Sequence, residues 1–227
     1  MNWGQKIAAK SISEIMAGPY DVTGVLAFKD GDRMDHAIAI KLISAFWHKV
    51  DRIFFGQAAN QGFGINRRCF LEFGKSQRCI HVHFVAQSPF DPIAFSAILN
   101  VLWNGLNPQT AVLRKNWITP IHSKPAIAGY VTKEIWRFRD DLHVLDCDHG
   151  LDGLTRYAAF DPEARLQRIA NRVDADTLEE AMALIPVHMI IIRKRMEERE
   201  REAAKQCNLR MASAPSSFRQ FIQSRQT

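Results

Sequence analysis

Glu72-Phe73-Gly74-Lys75-Ser76-Gln77-Arg78-Cys79-Ile80-His81-Val82-His83-Phe84-Val85-Ala86 begins with a carboxylate, passes through polar residues and ends in an apolar run holding two histidines. Strand side chains alternate between faces, so His81 and His83 project one way and Ile80, Val82 and Phe84 the other. The apolar set can pack under helices while the imidazoles face a cleft. Upstream, Cys69-Phe70-Leu71-Glu72-Phe73 is also strand-like, and Gly74 to Gln77 has turn chemistry, so the two runs predict a hairpin. A loop of two residues (Ser76, Gln77) or of four (Lys75 to Arg78) sets Glu72 opposite His81. One carboxylate and two imidazoles then share a sheet face, a three-ligand set suited to a divalent cation. The set depends on register, because a slip of one residue turns Glu72 to the other face.

A chain of 227 residues with 47% hydrophobic content supports one good-sized core and an appendage, not a disordered polymer. The longest apolar run, Ile185 to Ile192, contains Pro186 and His188 and is far too short to span a bilayer. The first residues, Met1 to Lys6, lack the apolar stretch of a signal peptide, so a cytoplasmic protein with no membrane association is expected. Cys69, Cys79, Cys147 and Cys207 show no CxxC spacing; they read as reduced thiols and exclude a zinc ribbon. The net charge of +6 is unevenly spread. Residues 1–145 carry 17 Lys/Arg against 11 Asp/Glu, residues 146–192 carry 4 against 9, and residues 193–227 carry 9 against 4. Two basic zones flank an acidic one, a distribution that fits a polyanionic partner but is shared by many mildly basic proteins.

Residues 1–20 predict a short helix ending near Gly18-Pro19, and Asp21 to Lys29 a first strand. Apolar residues recur at helical spacing from Asp35 to Phe55, predicting one long amphipathic helix. Gly56 to Gly64 reads as a flexible connector, since no Gly-Lys-Ser/Thr follows it to make a phosphate loop. After the hairpin, Ile93 to Trp103 predicts a second helix, Thr110 to Ile121 one strand or two, and Lys124 to Trp136 a third helix. This β-α-β-β-α-β-α order implies an α+β domain with an antiparallel or mixed sheet and helices on one or both faces. Acidic, glycine-containing residues 139–162 mark a boundary or surface excursion. Pro162 to Arg172 and Asp174 to about Cys207 read as helices, the latter kinked or split at Pro186, and residues 208–227 as a poorly ordered tail. The expected division is 1–145 for the folded domain and 146–227 for a helical C-terminal extension with a basic tail.

Tyr130-Val131-Thr132-Lys133 places a tyrosine and a lysine three apart on the third helix, where they share a face and can enter one cleft. Neither Tyr-x-x-Lys nor His-x-His is specific alone, since most helical tyrosines are packing residues. In this order and combination, however, the pieces resemble the HUH endonuclease superfamily, named for its His-hydrophobic-His motif, and within it the single-tyrosine rolling-circle replication initiators. His81-Val82-His83 matches the metal motif, Glu72 stands about where many members carry an acidic third ligand, and Tyr130 and Lys133 match the nucleophile motif. In conjugative relaxases the tyrosine precedes the histidine pair; here it follows. The resemblance covers residues 21–140. The family's first motif is degenerate, with Gly24 to Lys29 matching only in position and apolarity, no helicase-like stretch occurs in these residues, and residues 150–227 resemble no part of the family.

The resemblance implies a central antiparallel sheet with flanking helices and a nuclease that nicks and joins single-stranded DNA or an origin hairpin. Mg²⁺ or Mn²⁺ is the implied cofactor, held by Glu72, His81 and His83. Tyr130 is the implied nucleophile, giving a 5′-phosphotyrosyl adduct, with Lys133 assisting, and a host helicase is a further partner. The biology implied is initiation of rolling-circle replication of a plasmid, phage or mobile element. A single-tyrosine transposase and a non-catalytic DNA-binding regulator are the competing expectations. Arg67, Arg68, Arg114, Lys115 and Trp117 are candidates for tracking a backbone and stacking a base, as are Trp136 to Arg139. His143 to His149 holds metal-capable side chains at a spacing that matches no site and reads as an acidic surface turn.

Overall fold

The computed structural model describes residues 3–29, 31, 33–74, 79–106, 117–135 and 175–213. Four strands form one antiparallel sheet, β1 (Val22–Ala27), β2 (Arg67–Glu72), β3 (His81–Ala86) and β4 (Trp117–Pro120), in the order β2-β3-β1-β4. The helices are α1 (Trp3–Ala17), α2 (His36–Phe55), α3 (Pro92–Leu106), α4 (Lys124–Val131) and α5 (Ala175–Ser213). The domain is therefore α+β with an antiparallel sheet between helices.

Local chemistry starts each helix where the chain needs it. The Asp35 carboxylate accepts from the backbone N–H groups of Ala37 and Ile38 at 2.8 and 3.2 Å, which caps α2. Asp91 does the same for Ala94 at 2.9 Å, with Pro92 in the first turn of α3. Gly56 ends α2 at φ 59°, a conformation that favours glycine. The glycine-rich stretch after it is not a bare connector. Gly56–Gln61 forms a 3₁₀ helix, fastened by the Gln57 side chain, which accepts from Arg52 and Asn60.

The registers separate two faces of the sheet. One carries Arg67, Cys69 and Leu71 of β2, Val82 and Phe84 of β3, Val22, Gly24 and Leu26 of β1, and Ile118 of β4. Helices α2 and α3 cover it with an aromatic core: Trp47 meets Phe84 edge-on at 5.1 Å and Trp103 meets Phe28 and Phe46 at 5.5 and 5.4 Å. Gly24 is required here, since a Cβ would lie 2.8 Å from the Phe84 ring and 2.7 Å from Ile118. The other face carries Arg68, Phe70 and Glu72, then His81, His83 and Val85, then Thr23, Val25 and Ala27, then Trp117 and Thr119. Helices α1 and α4 pack on each other and cover part of it, with Ile15, Phe70, Val85, Ile127, Ala128 and Val131 in one buried cluster.

Arg67 corrects an expectation. It was a candidate DNA contact, but it lies on the α2 face and is buried, bonded through Nη1 to both Asp51 oxygens at 2.9 Å and stacked 4.7 Å above the Trp47 ring. The same carboxylate accepts from the Ile65 backbone at 2.8 Å, pinning the chain as it enters β2. Two further differences concern helix ends. Helix α4 stops at Val131 rather than Trp136, because the β-branched Thr132 turns its hydroxyl back onto the Ala128 carbonyl at 2.7 Å and three-residue turns follow. Pro186 lies inside α5 without ending it, and that helix runs to Ser213. The chain divides into two compact units, Met1–Met189 and Ile190–Thr227. The expected boundary at 145/146, the strand residues 110–116, the helix at 162–172 and the tail beyond 213 lie outside the described residues. Among the described residues no helix is long and apolar enough to cross a membrane.

A buried ion pair that loses one partner leaves an uncompensated charge. Asp51→Ala is therefore expected to cost about 3–5 kcal/mol in urea unfolding. Asp51→Ala/Arg67→Met should cost less than the sum of the single changes, and the difference measures the coupling.

Candidate metal centre

Glu72 and His81 are register partners across the β2–β3 hairpin, and His83 follows two residues along the same face. The backbone N–H of Cys79 donates to the Phe73 carbonyl at 2.9 Å and closes the hairpin above the pair. Gly74 begins the turn at φ 69°, where a side chain would be strained. Three nitrogens converge on one carboxylate oxygen: His81 Nε2 and His83 Nε2 each lie 3.2 Å from Glu72 Oε2, and Lys133 Nζ lies 2.9 Å from it. Glu72 and His83 are almost completely buried, His81 is partly so, and the Lys133 side chain is about one-third exposed.

The orientation of His81 is set from behind. Its Nδ1 faces the Cys79 carbonyl at 2.9 Å and so carries the hydrogen. A neutral ring then aims its Nε2 lone pair at the carboxylate. Two lone pairs at this separation need positive charge between them, either a proton or a metal ion. His83 Nε2 is within 3.2 Å of Oε2 but not aligned for a hydrogen bond, and it has no hydrogen-bond partner. Glu72 Oε1 is likewise buried without a partner. Two orphaned polar atoms on adjacent ligand-type side chains in a buried site are costly unless something else satisfies them. One donor atom each from Glu72, His81 and His83 lies within 4.8 Å of the others. A mixed nitrogen and oxygen set of this kind fits a divalent first-row or alkaline-earth cation.

Electrostatics point the same way. Burial pushes the Glu72 carboxyl up, but His81, His83 and Lys133 outweigh it and hold the group well below the usual carboxylate range. Burial pushes His83 down, so its ring stays neutral and keeps a lone pair for a metal. Burial also opposes the charge on His81, yet the Glu72 carboxylate beside it raises that histidine overall.

Tyr130 and Lys133 complete the cluster. The Tyr130 ring stands edge-on to His83, with centroids 5.0 Å apart, and Lys133 Nζ lies 3.8 Å from the Tyr130 centroid. Tyr130 is 48% exposed, the one half-open side chain among these buried ones. Lys133 sits in the turn beyond α4, but its backbone N–H still bonds the Tyr130 carbonyl at 3.3 Å, which keeps the two side chains adjacent. Sequence reasoning missed Glu134. That residue is buried and its Oε2 accepts from the Phe73 backbone N–H at 3.2 Å, so residues 133 and 134 grip residues 72 and 73 in parallel. Nothing in its spacing distinguishes it from any solvated glutamate.

The other candidates are dispersed. Arg68 is on the site face but is paired with Glu14 of α1 at 3.1 Å. Trp117 opens β4 on the same face, half-buried, opposite Val25. Tyr20 is buried in the α1/α4 core. Arg114, Lys115, residues 136–139 and residues 143–149 lie outside the described residues.

If the triad holds a metal, saturating Mn²⁺ stabilises the fold. At about 100 times Kd the gain is ~2.7 kcal/mol, read as a rise in melting temperature that is absent in His81→Ala/His83→Ala. Compared with protein-family models, with curated proteins and with solved structures, the chain matches none.

Proposed function

We propose that the protein is a metal-dependent nuclease of the HUH type that nicks and rejoins single-stranded DNA through a covalent tyrosine intermediate. The observation that carries this reading is the convergence of Glu72, His81 and His83 with Tyr130 and Lys133 in one cluster. A lone His-x-His in a sheet has many explanations. A His/His/Glu set with a half-exposed phenol against one ligand and an ammonium over that phenol has far fewer.

Glu72, His81 and His83 would hold Mg²⁺ or Mn²⁺. When bound, such an ion polarises the non-bridging oxygens of a phosphodiester and offsets the charge that develops on them. Tyr130 presents its ring at the open side of the cluster. Its Oη attacks phosphorus as the phenol gives up its proton to water. The bond from phosphorus to the 3′-oxygen breaks, and that oxygen takes up a proton as a free 3′-hydroxyl. The phosphate stays on Tyr130 as a 5′-phosphotyrosyl ester. A neutral phenol is a weak nucleophile and needs help from its neighbours. The Lys133 ammonium, 3.8 Å from the ring centroid, stands beside the attacking group and offsets the charge growing on the phosphate. The retained ester lets a second 3′-hydroxyl reverse the step, so one site both cuts and joins. Initiation of rolling-circle replication uses both halves of that chemistry.

The test is an adduct assay. Labelled single-stranded oligonucleotides from the surrounding genomic sequence are incubated with protein and Mn²⁺ or EDTA, then run on a denaturing gel. Label should migrate with the protein in Mn²⁺ only and be lost in Tyr130→Phe, and Lys133→Met should slow adduct formation by about 10²- to 10³-fold. An adduct that survives Tyr130→Phe moves the nucleophile elsewhere, and tight DNA binding with no adduct favours a regulator.

A further inference from the structure

We propose that Lys133 is a built-in competitor of the metal: its ammonium and a divalent cation contend for the same Glu72 oxygen, so the lysine sets the affinity of the site and is released from Glu72 when the ion enters. This rests on the metal-binding part of the function proposed above.

The geometry makes the two cations rivals. Oε2 is the atom that both imidazole Nε2 groups face at 3.2 Å, and it is also the atom that Lys133 approaches to 2.9 Å. An ion held between the two imidazoles therefore meets the oxygen on which the ammonium already sits. Like charges packed this closely, away from bulk water, repel strongly. The groups also differ in their freedom to move. The side chains of Glu72 and His83 are each only 2% exposed, and the β2–β3 pairing fixes their backbone. Lys133 is the one cation of the cluster on a long, one-third exposed stem. It is the group that yields.

Its backbone need not move when it does. Glu134 holds the turn to the Phe73 N–H, and Lys133 N bonds the Tyr130 carbonyl, so only the side chain exchanges partners. The Tyr130 ring, with its centroid already 3.8 Å from Nζ, keeps the ammonium in place once Glu72 is given up. Metal entry thus removes the lysine's carboxylate partner and leaves it its contact with Tyr130. With the lysine on Oε2, the buried carboxylate is compensated and the ligands stay in place.

The experiment is calorimetric titration of Mn²⁺ into the full chain at fixed pH and salt, for wild type, Lys133→Met, Lys133→Gln, Lys133→Arg and His81→Ala. Competition predicts that Lys133→Met and Lys133→Gln bind Mn²⁺ at least about tenfold more tightly than wild type. Lys133→Arg, which keeps the charge, binds no more tightly, and His81→Ala loses binding. The two neutral variants serve as independent copies should one fold poorly. Wild-type binding with unchanged or weakened affinity in the neutral variants overturns the competition and leaves the metal site standing. No Mn²⁺ uptake by wild type or by either neutral variant overturns the metal site and the competition together.

Discussion

One carboxylate oxygen, Glu72 Oε2, organises the face of the sheet that carries the candidate metal site. A carboxylate this deeply buried is expensive unless its charge is met. Here the Lys133 ammonium, from the turn after α4, meets it at 2.9 Å, and two imidazole nitrogens from the neighbouring strand stand 3.2 Å away. Each partner comes from a different constraint. The imidazoles arrive through strand register, in which Glu72 opposes His81. The ammonium arrives through the turn at Thr132, which stops α4 and lets residues 133 and 134 reach residues 72 and 73. Removing any one constraint leaves a buried charge short of a partner.

The sheet keeps chemistry and framework on opposite sides. Arg67 and Arg68 are neighbours in sequence, yet alternation sends Arg67 into the Asp51 pair beneath Trp47 and Arg68 to the α1 side, where Glu14 meets it. The α2/α3 side is filled by large rings in edge-to-face contact and has little room to shift. On the opposite side, under α1 and α4, Glu72 and His83 are buried while Tyr130 is half exposed.

Much of this was legible in the sequence wherever a short period controlled the outcome. Alternation with period two put His81 and His83 on one face, and loop parity set Glu72 against His81 even though the loop length was open. Helical spacing revealed α2, and the acid Asp35 marked its start. What stayed hidden depended on tertiary partners. Arg67 looked like any basic residue near a site, because its fate is decided by Asp51, sixteen residues earlier on α2. The end of α4 was misjudged because Lys133 and Glu134 are adequate helix residues by propensity; the Phe73 N–H and the Glu72 carboxylate pull them out of the helix. Pro186 was read as kinking or splitting the helix; α5 is not split there, and the proline costs one backbone bond amid long stretches of helix-forming residues.

Exposure within the cluster follows the work each group would do. Ligands gain from burial, since a dry carboxylate and a neutral imidazole bind a cation more strongly than hydrated ones. A nucleophile needs the opposite, because it must touch a substrate that arrives from solvent. Tyr130 is half exposed although its ring leans on the buried His83, so a single residue spans the two environments. Lys133 spans them as well, with its head on the buried Glu72 and its stem part-way out. The two residues that mediate between the ligands and solvent are therefore the two on α4 and its turn, not on the sheet. That division puts the candidate ligands on strands fixed by ladder pairing, and the half-exposed phenol and ammonium on a helix end and its turn.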